Sequence, residues 1–108
     1  MKRIRVDELK KYIDEKQDVL IINVLSEKYF NENKIPTSIN IPFKDNNNFT
    51  TDVAQKIKSK YRKIVLYCKN VDCDLSGKAA KLLEDSDFLE IEVYEGGIDG
   101  WLENTTRD

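Results

Sequence analysis

The sequence predicts an α/β fold, a doubly wound domain with a parallel central sheet and helices on both faces. Three observations carry that reading. Short strand-like runs recur at residues 19–24 (VLIINV), 64–67 (IVLY) and 91–94 (IEVY), and the β-branched first of them fits a strand buried on both faces. Segments with helical spacing separate them, which is the alternation a parallel sheet requires. The central run ends directly at Cys68, before a short polar loop and another helical segment.

Taken in order, Val6, Leu9, Tyr12 and Ile13 fall at helical spacing with Asp7 and Glu8 in the first turn, so residues 6–16 predict an amphipathic helix. After the strand at 19–24, Ser26 is placed to start a short helix over 26–31. Pro36 and Pro42 then frame a short extended segment, 38–41. Residues 46–48, all Asn, form the most loop-like stretch. Val53 and Ile57 mark a helix over 51–60, and Leu75, Ala79, Leu82 and Leu83 line one face of another that ends near Asp85. Glu95-Gly96-Gly97 breaks the last strand before a final helical turn around Trp101, which with Phe88 is expected to close the edge of the core.

Composition narrows the function classes. With 108 residues, 40% hydrophobic and 35% charged, the chain can bury one core, and one domain over residues 1–108 is expected. The net charge of -2, with basic residues scattered among acids, gives no stripe for nucleic acid. The longest apolar stretch, 19–22, is far too short to span a bilayer, and the basic start has no apolar run behind it. A cytoplasmic protein that binds neither nucleic acid nor membrane, a monomer or weak homodimer, is the expectation. Its two cysteines then read as thiols rather than a structural disulfide.

Cys68 is the candidate for chemistry. At the carboxyl end of a parallel strand it lies where loops and helix N-termini converge to bind ligands. The loop Lys69, Asn70, Val71, Asp72, Cys73, Asp74, Leu75 can turn successive N–H groups toward an anion, and the helix that follows presents its positive end. Such surroundings lower a thiol's pKa from its free value of about 8.5. The chain contains no His, so a Cys-His mechanism is excluded within this polypeptide. Cys68 is either activated by backbone and fixed charge, or a small buried hydrophobe that closes a strand.

These pieces together resemble a single-domain rhodanese, a sulfurtransferase fold. VDELKKYID, VLIINV, KIPTSINIPF, IVLYC followed by KAAKLL, and VYEGGIDGW occur in that family's order across nearly the whole chain. The resemblance implies that Cys68 is the catalytic residue, accepting sulfane sulfur as a persulfide and passing it to a thiol or other nucleophilic acceptor. It implies loop 69–75 as the substrate cradle and no cofactor. The partners it implies are a small sulfane-sulfur donor and a thiol or protein acceptor.

The departures from the family pattern lie where substrate is chosen. The common Asp-Val-Arg is here Asn23-Val24-Leu25, a paired loss that reads as one ion pair removed. The common His-Ile-Pro-Gly-Ala is Lys34-Ile35-Pro36-Thr37-Ser38. The cysteine loop is about two residues longer than usual and has no Arg, resembling a subgroup with a second Cys and a later Ser. Thiosulfate, a dianion, would meet Asp72 and Asp74 with only Lys69 and Lys78 to offset them, and is expected to be a poor donor. A phosphatase reading fails for want of the same Arg.

Cys73 is a candidate resolving thiol, or a small residue that shapes the loop; its spacing from Cys68 and the lack of further ligands argue against a metal site. Ser76, without a His partner, is expected to support the loop by hydrogen bonding. Asp74 reads as the helix N-cap, and Gly96-Gly97 as a tight turn that carries the last helix back. Two other functions stay open: a non-catalytic rhodanese-like interaction module, and a Cys68/Cys73 redox switch.

Overall fold

The computed structural model describes residues 1–44 and 48–105. Five strands form one sheet: β1 (Lys2–Ile4), β2 (Val19–Asn23), β3 (Ile39–Asn40), β4 (Lys63–Tyr67) and β5 (Ile91–Tyr94). Their spatial order is β1-β5-β4-β2-β3 and every pairing is parallel. Five helices connect and cover them: α1 (Val6–Asp14), α2 (Glu27–Glu32), α3 (Phe49–Ile57), α4 (Leu75–Asp85) and α5 (Gly97–Thr105).

Side-chain alternation divides the core in two. Ile64 and Leu66 of β4 point to one face with Ile22, Val53, Ile57, Ala79, Ala80 and Leu83, under α3 and α4. Val65 and Tyr67 point to the other with Leu9, Tyr12, Ile98 and Trp101, under α1 and α5. Helices on both faces of a parallel sheet are the doubly wound arrangement that the strand–helix alternation predicts. Phe88 and Trp101 are both buried, as expected for residues at the core's edge. Beneath the sheet a buried Glu92 is satisfied on two sides, by the Tyr12 hydroxyl at 2.7 Å and Lys63 Nζ at 3.5 Å.

Several boundaries differ from the sequence expectations. The strand β1 was not anticipated: Lys2 and Arg3 are exposed, which hides the pairing of Ile4 with Tyr94. The helix α1 ends at Asp14, two residues short of the expected end, and Lys16 beyond it has a positive φ of 52°. The helix α3 begins and ends earlier than the expected 51–60. Phe49 is buried and anchors its first turn, and Lys58 in the left-handed region stops it. Ser26 does occupy the N-cap position of α2, but makes no capping hydrogen bond. Of the Asn loop, positions 46 and 47 lie outside the described residues. The last helix is longer than one turn, with nine residues from Gly97. No described helix is long and apolar enough to cross a membrane.

Candidate functional site

The site begins with the alternation of β4. The residues before Cys68 are fully buried, and Cys68 follows Leu66 onto the α3/α4 face beside Val24. It is only 2% exposed. The chain then turns sharply. Cys73 N–H donates to the Asn70 carbonyl at 3.1 Å, and Asp72 N–H donates to Asn70 Oδ1 at 3.0 Å, the local turn that Asn side chains favour.

Two helix N-termini meet at this loop. From α4, Ser76 is buried and its Oγ lies 3.4 Å from Cys68 Sγ. From α5, Ile98 N–H donates to the Cys68 carbonyl and Asp99 N–H to the Lys69 carbonyl, both at 2.9 Å. Gly97 makes that approach feasible. Its φ is +64°, and a Cβ there would come within 2.5 Å of the Lys69 carbonyl and 2.6 Å of the Cys68 oxygen. The turn expected of Gly96-Gly97 therefore has a second task, holding the backbone of the cysteine itself. The Gly-Gly pair was visible in the sequence. Its contact with the Cys68 backbone was not.

The Cys68 thiol is held in its neutral form. Its S–H donates to the Cys73 carbonyl at 3.2 Å. Burial pushes its pKa up from the usual 9.0, and the neighbouring Cys73 side chain pushes the same way, while the Ser76 hydroxyl and N–H pull it down. This corrects the expectation of a depressed pKa. The helix end is present as expected, but desolvation outweighs it in this conformation.

The other expected site residues separate into two groups. Cys68, Cys73 and Ser76 converge, and Cys73 and Leu75 pack partly buried against the α3/α4 core. Lys69 and Asn70 turn toward Asp99, at 3.6 Å and 3.2 Å. Val71 and Asp72 face solvent. Asp74 holds the N-cap position without a side-chain capping bond, and its carboxylate lies 3.6 Å from Lys78. Both cations of the loop region are thus already beside carboxylates.

The expected consequence of Asn23-Val24-Leu25 also takes a physical form. Asn23 Oδ1 accepts Leu25 N–H at 2.8 Å, and Asn40 Nδ2 donates to the Leu25 and Asn23 carbonyls at 2.8 and 3.1 Å. Neutral amides tie the ends of β2 and β3 together here. Among the described residues no cluster of three or more His, Cys, Asp or Glu side chains is placed to hold a metal.

Comparison with known proteins agrees with this architecture. A structure from Bacillus halodurans superimposes with a TM-score of 0.82 at 25% identity, covering 94% of this chain and 72% of that one. A thiosulfate sulfurtransferase from Pseudomonas aeruginosa gives 0.83 at 14% identity, over 95% of this chain and 19% of that one. A rhodanese with anions from E. coli gives 0.65 at 22%, over 76% and 89%. No curated protein sequence matches the chain. The sequence model of the Rhodanese-like domain matches residues 5–104, and with the parallel sheet and the cysteine loop in place, the chain belongs to the rhodanese-like family, which is related to the sulfurtransferases.

Proposed function

We propose that this protein is a sulfurtransferase or sulfur carrier with Cys68 as its nucleophile. The observation that supports the reading most is the place of Cys68 Sγ, at the end of the central strand and against Ser76 in the first turn of α4. In the first half-reaction the Cys68 thiolate attacks the terminal sulfur of a donor R–S–S⁻. The new S–S bond makes the Cys68 persulfide as the donor's own S–S bond breaks and its electron pair leaves with the thiolate R–S⁻. In the second, an acceptor thiolate attacks the outer sulfur and Cys68 leaves as thiolate. Each step exchanges one S–S bond for another, so the cycle requires no redox cofactor.

The charge distribution favours a low-charge donor. Lys69 sits beside Asp99 and Lys78 beside Asp74, while Asp72 is exposed at the loop tip. A persulfide or polysulfide carries its charge on a terminal sulfur and suits that cradle better than a thiosulfate dianion. The acceptor is a small thiol or a protein cysteine.

Intact mass after incubation with persulfide donors tests the assignment. Wild type and Cys73→Ser should each gain one sulfur, and Cys68→Ser none. No added sulfur on wild type with any donor would leave the non-catalytic interaction module as the better reading.

A further inference from the structure

The Cys73 carbonyl aimed at Cys68 conflicts with the proposed chemistry. It accepts the S–H proton well, but a thiolate or persulfide anion in the same place would face an oxygen lone pair 3.2 Å away. The charged form therefore needs a different partner on that side. The peptide that bears the carbonyl has an N–H on its opposite edge, that of Asp74.

Among the described residues, neither the Cys73 carbonyl nor the Asp74 N–H makes a backbone hydrogen bond. The bonds that define the loop lie on the neighbouring planes: Cys73 N–H to the Asn70 carbonyl at 3.1 Å, and Lys78 N–H to the Asp74 carbonyl at 3.0 Å. Rotating the 73–74 peptide preserves both. Only one weak S–H···O contact is given up.

The backbone of Asp74 is already set for that rotation. Its φ of -103° and ψ of 9° match the third residue of a type I turn. Flipping the peptide that precedes a residue with these angles keeps its ψ near 0° and carries its φ to about +80°, the change that relates type I to type II turns; the hydrogen-bonded turn of this loop, Asn70–Cys73, lies just before it. Asp and Asn tolerate positive φ better than other residues with a side chain.

We propose that the Cys73–Asp74 peptide is a two-position switch, with its carbonyl on the Cys68 thiol in the sulfur-free protein and its N–H on the sulfur once Cys68 is ionised or persulfidated. The flipped form adds the Asp74 N–H to the Ser76 N–H and hydroxyl around the anion. It turns the resting pocket, which favours neutral sulfur, into the anion cradle that a sulfur carrier needs. The switch rests on the sulfur-carrier reading. The charged groups around it are Asp72 and Asp74 of the loop, Lys78 of α4, and the Lys69–Asp99 pair.

The test replaces Asp74 by Gly, Asn and Ala in a Cys73→Ser background, where Cys68 is the single thiol. All three variants lose the same charge and differ in their tolerance of positive φ. The pH midpoint of Cys68 alkylation should rise from Gly to Asn to Ala, spanning about one pH unit, a tenfold change in the flipped population. Thermal unfolding of the same variants reports any helix-capping effect, which would move melting temperature without moving the midpoint. Equal midpoints, or a lower midpoint for Ala than for Gly, would overturn the switch. Persulfide mass on the same proteins reads the function separately: no sulfur on any of them, wild type included, would sink the carrier assignment, with the midpoint order still deciding the flip.

Discussion

Gly97 lies so close to Cys68 that a Cβ on the glycine would sit 2.6 Å from the cysteine's carbonyl oxygen. The two residues belong to different elements, the start of α5 and the end of β4. Their approach lets Ile98 N–H reach the Cys68 carbonyl at 2.9 Å. One helix end thereby fixes the backbone of the cysteine while another, α4, faces its sulfur. The carbonyls, not the sulfur, receive the α5 N–H groups.

Gly97→Ala should therefore be among the most damaging small substitutions in the protein. It combines a φ of +64° with a collision against backbone that has no room to yield. A loss of about 3 kcal/mol is expected by urea unfolding. Gly77→Ala is the matched control, because nothing lies within 4 Å of its Cβ position inside α4. That variant should gain about 0.5–1 kcal/mol from helix propensity. Equal effects for the two would contradict the close approach.

Ser76→Ala should raise the alkylation midpoint of Cys68 by about half a pH unit to one unit, because the hydroxyl pulls the thiol pKa down against burial. The same balance predicts alkaline sensitivity. The folded protein holds the Cys68 proton above the usual 9.0, whereas the unfolded chain releases it there. Stability from this group is complete below pH 9.0 and declines as pH rises toward the folded pKa. Tyr12, pushed up to about 12 chiefly by burial, and Tyr94, also raised by burial, add the same sign above their usual 10.0. Urea unfolding between about pH 8 and about pH 11 should show falling stability, with a shallower fall in Cys68→Ser. A flat profile would mean that these groups titrate alike folded and unfolded.

What the sequence revealed follows from the kind of signal each element carries. The strands β2, β4 and β5 are buried on both faces, so their apolar runs announce them directly. In β1 only Ile4 is buried, and two cations beside it read as a basic tail. Cys68, Cys73 and Ser76 could be named from order along the chain. The reversal of the expected Cys68 pKa could not, because it depends first on how deeply the fold buries the thiol and then on the Cys73 side chain that the loop brings beside it. Neither is fixed by spacing along the chain.

Substrate charge supplies another prediction. With Lys69 and Lys78 beside carboxylates, Asp72 is, among the described residues, the exposed acid of the loop without an ion-pair partner, and removing it should matter most for the most negative donor. Asp72→Asn should raise the rate of sulfur loading from thiosulfate about two- to fivefold while changing loading from a persulfide little. High salt should shrink the difference. Equal gains for both donors, or none, would remove the electrostatic account of donor choice.

The two thiols should also prove unequal in oxidation. The Cys68 thiolate attacks peroxide, breaking its O–O bond to give a sulfenic acid with hydroxide as the leaving group, and the Cys73 thiolate can then displace hydroxide to form an S–S bond. The Asn70–Cys73 turn brings the thiols side by side, with the Cys73 carbonyl already 3.2 Å from Cys68 Sγ. Mild oxidation of wild type should yield an intramolecular product two hydrogens lighter, reversible by a reducing thiol. Cys73→Ser should instead stop at the sulfenic acid or pass on to higher oxides. Intermolecular dimers or over-oxidised Cys68 in wild type would show that the loop keeps the thiols apart. Sulfur loading on Cys73 in the Cys68→Ser protein, at the wild-type rate, would move the nucleophile from the strand end to the loop.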